Sequence, residues 1–184
     1  MLTRLALALA LLPLACGGDA GDTDAPETSS ATSDTGEPPT TGEPAEDPPT
    51  DEEALAAWLT AGAYRTWPAE SGPHASTGPH FGSVRTYVNA ALFDSLEAGS
   101  AVHPRGAAAV KELYGDVADV RGWSVMIKDF DNSTMVDDGD GWYWYESYNG
   151  STFGDAFGDP TCTGCHAPTH PDFKDFFLTP FPLQ

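Results

Sequence analysis

The chain has 184 residues, of which 28 are acidic and 8 basic, for a formal net charge of −20 at neutral pH. A surface this negative repels phosphates, which excludes nucleic acid and anionic lipid surfaces as partners. The length leaves room for one domain of ordinary size with its own core beside a polar tail.

The chain opens "MLTRLALALALLPLACGGD", in which Arg4 precedes an apolar run from Leu5 to Leu14. That run is too short to cross a bilayer and small residues follow it at once, so residues 1–15 read as a signal peptide. The Ala-Cys-Gly-Gly that ends it marks Cys16 as the lipidated first residue of a bacterial lipoprotein, although Pro13 stands where Leu is usual. The alternative is an ordinary secreted chain with a stray thiol. Gly17 and Gly18, with no aspartate directly after Cys16, point to the outer membrane. The expected location is therefore the bacterial cell envelope, lipid-anchored and facing periplasm or exterior.

Residues 16–53 read as a lipid anchor and disordered acidic tether. Residues 17 to 53 hold 12 of the 28 acidic residues and no Lys or Arg, and contain too few apolar side chains to offset the entropy of ordering. Residues 54–184 form the expected domain, with 16 acids against 7 bases and every Trp, Tyr and Phe of the chain.

In chain order, Thr50 with Glu53 predicts a capping-box start for a helix through "DEEALAAWLTAG", ended by Gly62. "SGPHASTGPHFG" reads as a loop. "SVRTYVNA" alternates as a strand, and "ALFDSLEAG" reads as a short helix closed by Gly99. "GAAAVKELYG" suits helix by composition and strand by length, and stays open. As a strand it would put Lys111 with Ala109 and Leu113 on one face, and Val110, Glu112 and Tyr114 on the other. "GWSVMIKDF" and "GWYWYESYNG" are further strands. Between them, "DFDNSTMVDDGD" has the look of a calcium loop but carries Thr134 where glycine is needed, and reads as an acidic turn. The aromatics from Trp142 to Tyr148 are expected to pack in the sheet, with an electron path or a carbohydrate platform as alternatives. The fold class is α+β, a mainly antiparallel sheet with a few flanking helices.

Near the C-terminus stands "CTGCHAPTH". Cys162 and Cys165 lie two residues apart with His166 directly after, and in an envelope compartment this spacing serves covalent haem: each thiol adds across a vinyl group and the histidine reaches the iron. Zinc on Cys162, Cys165, His166 and His170 is one alternative, and a redox disulfide another. A c-type haem motif means an electron carrier if the sixth iron position is filled, and a catalyst or gas binder if it is open. Met126, Met135, His74, His80, His103 and His170 are the candidates to fill it.

The succession "VRTYVNAALF", "GAAAVKELYG", "VMIKDF", "DGWYWYESY", "CTGCH" and "DFFLTPF" resembles the cytochrome P-460 family and its relatives, the beta-type cytochromes c-prime, over about residues 80 to 181. The resemblance implies a mainly antiparallel β homodimer with one covalent haem c, held by Cys162 and Cys165, ligated by His166 and open on its distal side. It implies that Lys111 is bonded to the haem ring, as in hydroxylamine-oxidising members, and that Arg85 stands near the haem pocket, making Lys111 and Arg85 the candidate catalytic residues. The implied ligand is hydroxylamine or nitric oxide, with electrons leaving to an external acceptor. One departure stands out: Ser124 falls where those members carry a proton-relaying acid. Glu112, Asp129 and Asp131 are substitutes on chemistry alone. The alternatives to hydroxylamine oxidation are a non-catalytic nitric oxide binder or sensor, and a six-coordinate electron carrier.

Overall fold

The computed structural model describes residues 47–80, 82–115, 118–130, 139, 141–167, 170 and 174–184. The expected signal peptide, Cys16, most of the expected tether, and the acidic turn with Asp131 and Met135 lie outside the described residues. All of the described residues belong to the unit Thr41–Gln184. Among them no helix is long and apolar enough to cross a membrane.

Six strands form one antiparallel sheet in sequence order: β1 (His74–Ala75), β2 (Ser83–Val88), β3 (Ala108–Gly115), β4 (Gly122–Lys128), β5 (Trp142–Tyr148) and β6 (Ser151–Phe157). Among the described residues three α-helices flank it, α1 (Glu52–Ala61), α2 (Ala90–Glu97) and α3 (Pro160–His166), with a 3-10 turn at Ala63–Thr66 after α1. This is the expected α+β class with an antiparallel sheet.

The open segment "GAAAVKELYG" is a strand. Pairing with strands on both sides decides it, and seven of its eight strand residues are buried, as in a sheet covered on both faces. The cap of α1 is a correction to the expected box at Thr50. Asp51 caps the helix, its side chain accepting from Ala54 N at 3.0 Å, because its carboxylate suits a helix N-terminus better than a hydroxyl. Glu52 and Glu53, assigned to the tether, thus lie within α1. At the other end Gly62 takes φ 73°, the left-handed conformation that glycine adopts without strain.

The two-residue β1 corrects the loop expected across "SGPHASTGPHFG", because His74 and Ala75 pair with Val84 and Ser83 at the sheet edge, and two longer elements also went unforeseen. Strand β6 follows β5 through Asn149-Gly150, with φ of 51° and 79°, the two-residue turn that joins tight hairpins. Helix α3 starts on Asp159, which accepts from Thr161 N at 2.8 Å, with Pro160 in the first turn.

The register sorts the sheet into two faces. Tyr87, Val110, Val125 and Tyr145 stand in one cross-strand row, with Ala108, Ile127 and Tyr143 beside them. Leu55 and Leu59 of α1, both fully buried, pack against this face, each contributing about 1.5–3 kcal/mol of burial. Glu112 is buried here too, accepting from Tyr64 Oη at 2.6 Å, Tyr87 Oη at 3.2 Å, Arg65 Nε at 3.2 Å and Tyr114 Oη. Four donors on one carboxylate make it affordable inside the core.

The other face carries Val88, Ala109, Met126 and Trp144, which cluster with Leu92 and Leu96 of α2 and with Phe176 and Phe177. Beneath them Lys128, fully buried, pairs with Asp175, which also accepts from His103 N at 2.8 Å. The aromatic run of β5 is core: Trp142, Tyr143, Trp144 and Tyr145 are all buried, which leaves no exposed platform for a sugar.

Candidate functional site

One cross-strand row on the α2-bearing face departs from the apolar pattern. Thr86 on β2 stands opposite Lys111 on β3, Lys111 opposite Ser124 on β4, and Ser124 opposite Glu146 on β5. Directly opposed residues of antiparallel strands point to the same side, so four adjacent strands present four polar side chains together. Lys111 falls on the face of Ala109 and Leu113, as alternation requires of a strand.

Two adjoining clefts border this row. Lys111, Ser124, Thr86, Met126, Trp144 and His166 line the first, and His80 closes its side. Ser124, Glu146, Trp144, His80, Cys162, Cys165 and His166 are among the residues that line the second, an open-mouthed cavity of about 120 Å3. Lys111 and His166, separated by 55 positions in the chain, therefore share one cleft.

Helix α3 sets the cysteines and the histidine. Positions three and four apart on a helix share a face, so Cys162, Cys165 and His166 are presented on one side of α3. Both thiols are free. Burial, with Asp159 and Glu146 nearby, pushes the Cys162 thiol up to about 12, so it stays protonated at neutral pH.

The imidazole of His166 donates through Nδ1 to Phe176 O at 2.7 Å. Burial brings its pKa down to about 4; the Phe176 bond opposes this, while Lys111 and His80 add to it. His166 is thus a neutral imidazole with its tautomer fixed and Nε2 unprotonated, the state a metal ligand requires. Trp144 stands edge-on to it at 5.0 Å between centroids.

Burial lowers the pKa of Lys111, against the pull of Glu70 and Glu146. Among the described residues its amine has no hydrogen-bonding or ion-pair partner. Burial raises Glu146, but the His80 hydrogen bond and charge, with help from Ser124 and Lys111, hold it below the usual carboxylate range. His80 Nδ1 lies 3.0 Å from Glu146 Oε2.

Two buried polar atoms at the first cleft, Thr86 Oγ1 and Trp144 Nε1, have no hydrogen-bond partner. Two free thiols and a tautomer-fixed histidine on one helix face, beside a cleft walled by Trp144, Met126 and Phe177, are the residue types that a covalently attached haem would use. Among the described residues no group of three or more His, Cys, Asp or Glu converges as a metal site.

The other residues singled out from sequence lie elsewhere. Arg85 pairs across the sheet with Glu112, on the α1 face, and donates through Nε to Glu70 O at 2.9 Å. The geometry leaves it out of the clefts, because β2 turns Thr86, not Arg85, towards them. Glu112 faces the same way as Arg85. Asp129 pairs with Arg105 at 2.9 Å on the surface. His74 is exposed and 3.1 Å from Glu70, and His103 is buried with its Nδ1 2.9 Å from Ser95 Oγ. Sequence reasoning missed Glu146, the carboxylate of the cleft. Its position in the alternating "WYWYESY" shows which side of β5 it takes, but only the register with β4 brings it beside Ser124 and Lys111.

No protein-family model matches this chain, and no curated protein matches it.

Proposed function

We propose that this domain is a mono-haem c-type cytochrome related to the cytochrome P-460 family, with Cys162 and Cys165 as thioether anchors, His166 as axial ligand and Lys111 as the residue bonded to the ring. The observation that carries this reading is the sharing of one cleft by Lys111 and His166, with Cys162 and Cys165 lining the adjoining one. Bound there, the haem would supply redox chemistry and a coordination site for hydroxylamine or nitric oxide, with electrons passed to an external acceptor.

The chain's own groups divide the remaining work. His166 is held neutral by burial and oriented by Phe176 O. Trp144, Met126 and Phe177 keep water from one side of the cleft. Glu146 is held ionised by His80 and Ser124, and serves as the proton acceptor that oxidation of hydroxylamine needs. It takes over in space the role of the acid that Ser124 replaces in sequence. The signal peptide and Cys16 belong to the same proposal, with the protein tethered at the outer membrane by an acidic linker.

Glu146→Gln is the test of this division. The variant should acquire haem and bind nitric oxide as the parent does, while hydroxylamine oxidation falls by about 10²–10⁴-fold. Unchanged turnover would remove Glu146 from the proton path. A haem-loaded parent that binds neither hydroxylamine nor nitric oxide would overturn the functional reading itself.

A further inference from the structure

The face of the sheet turned away from the clefts holds a buried carboxylate ringed by phenols and indoles. We infer that Tyr64 is a redox-active tyrosine: when a one-electron oxidant reaches the half-buried indoles of Trp58 and Trp67, Tyr64 supplies the electron and passes its phenolic proton to Glu112. The inference does not depend on the haem.

The proton has a prepared acceptor. Tyr64 is fully buried, and its hydroxyl donates to Glu112 Oε1 at 2.6 Å, within the reach that direct proton transfer needs. Burial raises the pKa of Tyr64 and the bond to Glu112 adds to the rise, so the resting side chain is a neutral phenol. Oxidising a phenol that keeps its proton would leave a cation in the core, which is costly away from water. With Glu112 beside it, the electron leaves for the oxidant and the O–H proton moves to Oε1. The products are a neutral phenoxyl radical and a carboxylic acid, and no positive charge is created in the core.

The hydrogen bonds around the pair survive that step. Trp123 Nε1 donates to Tyr64 Oη at 2.9 Å, and an indole N–H goes on donating once that oxygen has become a pure acceptor. The protonated Glu112 oxygen donates back to the same atom, while Tyr87 and Tyr114 stay bonded to the other oxygen, Oε2. Neither redox state leaves Tyr64 Oη without a partner.

The electron has a route as well. Ring centroids lie 5.5 Å apart between Trp67 and Trp58, 5.9 Å between Trp58 and Tyr64, and 5.0 Å between Tyr64 and Tyr87. The two tryptophans are half-buried and the two tyrosines buried, so the array runs from solvent into the core. Tyr64 joins its two parts, being bonded to Glu112 and in ring contact with Trp58. An indole oxidised at the surface is refilled by the electron from Tyr64, and the oxidation comes to rest there. The class of oxidant is a small radical that takes up one electron. A small one-electron reductant such as a thiol restores the phenol, which draws its proton back from Glu112. Lys111 and Ser124 adjoin Glu112 and Trp123 in their strands and face the other way. The sheet therefore separates the radical from the thiols of Cys162 and Cys165, the groups most open to irreversible oxidation.

The experiment is electron paramagnetic resonance of the full-length protein, frozen after illumination with tris(bipyridine)ruthenium and persulfate, which together generate a one-electron oxidant. The parent should give a tyrosyl signal that narrows when ring-deuterated tyrosine is incorporated. Tyr64→Phe, which keeps the ring in its packing, should lose most of that signal and leave the oxidation on tryptophan. Glu112→Gln should lose it although the phenol is still present, an effect that a merely structural role for Glu112 would not give. If Glu112→Gln fails to fold, Tyr64→Phe decides alone. A tyrosyl signal undiminished in Tyr64→Phe, or a parent whose signal is tryptophanyl, would overturn the inference. An undiminished signal in folded Glu112→Gln would overturn the proton transfer and the inference with it.

Discussion

Lys111→Ala is expected to leave covalent haem in place while abolishing the displacement of the Soret band to the red that a lysine–haem bond would cause, and reducing hydroxylamine oxidation to background. The amine lies in a row of polar side chains at the cleft, opposite Thr86 and Ser124, with burial lowering its pKa. Lys111 is half-buried, and an amine that loses hydration with no hydrogen bond to replace it is a cost to folding. The apo Lys111→Met chain is accordingly expected to be more stable than the parent, by on the order of 1 kcal/mol, in urea unfolding. Function lost with stability gained is the signature of a residue retained for chemistry. A Lys111→Met chain that unfolds more easily would mean that the lysine is structural.

Asp175→Ala is expected to give the largest loss of stability, about 3–5 kcal/mol, because it strands the fully buried Lys128 without its counter-charge. The carboxylate also accepts from His103 N at 2.8 Å and Trp142 Nε1 at 3.4 Å. It further fixes the turn in which Asp175 and Phe176 take φ of 47° and 70°, a conformation that non-glycine residues adopt only when their surroundings enforce it. Phe176 O is the acceptor that orients His166, so the variant should also mature with less haem. Urea unfolding of Asp175→Ala beside the double variant Lys128→Met/Asp175→Leu checks the cause. The double variant, which removes both charges, should recover most of the loss. Equal destabilisation of the two would assign the effect to packing of the turn.

The sheet was legible because its strands obey period two on both faces: "SVRTYV", "GWSVMIK" and "WYWYESY" each became a strand. The "AVKELY" segment was not, since its composition is that of a helix and only pairing with β2 and β4 on either side decides for a strand. Strand β6 escaped notice because it is an exposed edge strand with a glycine inside it, although Asn149-Gly150 was a hairpin signal in plain view. Asp159-Pro160 was likewise a readable start for α3.

The site was legible where its chemistry is local. Cys162, Cys165 and His166 lie within five residues, and a resemblance across the chain nominated Lys111 and Ser124. What could not be read was the company these residues keep. Glu146 and His80 enter the site through strand register and loop path, both set by tertiary packing. Arg85 leaves it through a single step of alternation, since neighbours on a strand face opposite sides.

The central claim is a haem covalently held by Cys162 and Cys165, and the most direct measurement is the intact mass of the protein matured in cells competent for c-type haem attachment. The expected mass is that of the processed chain plus one haem, less the hydrogens lost in forming the additional Lys111 bond. A mass equal to the processed polypeptide alone would contradict it.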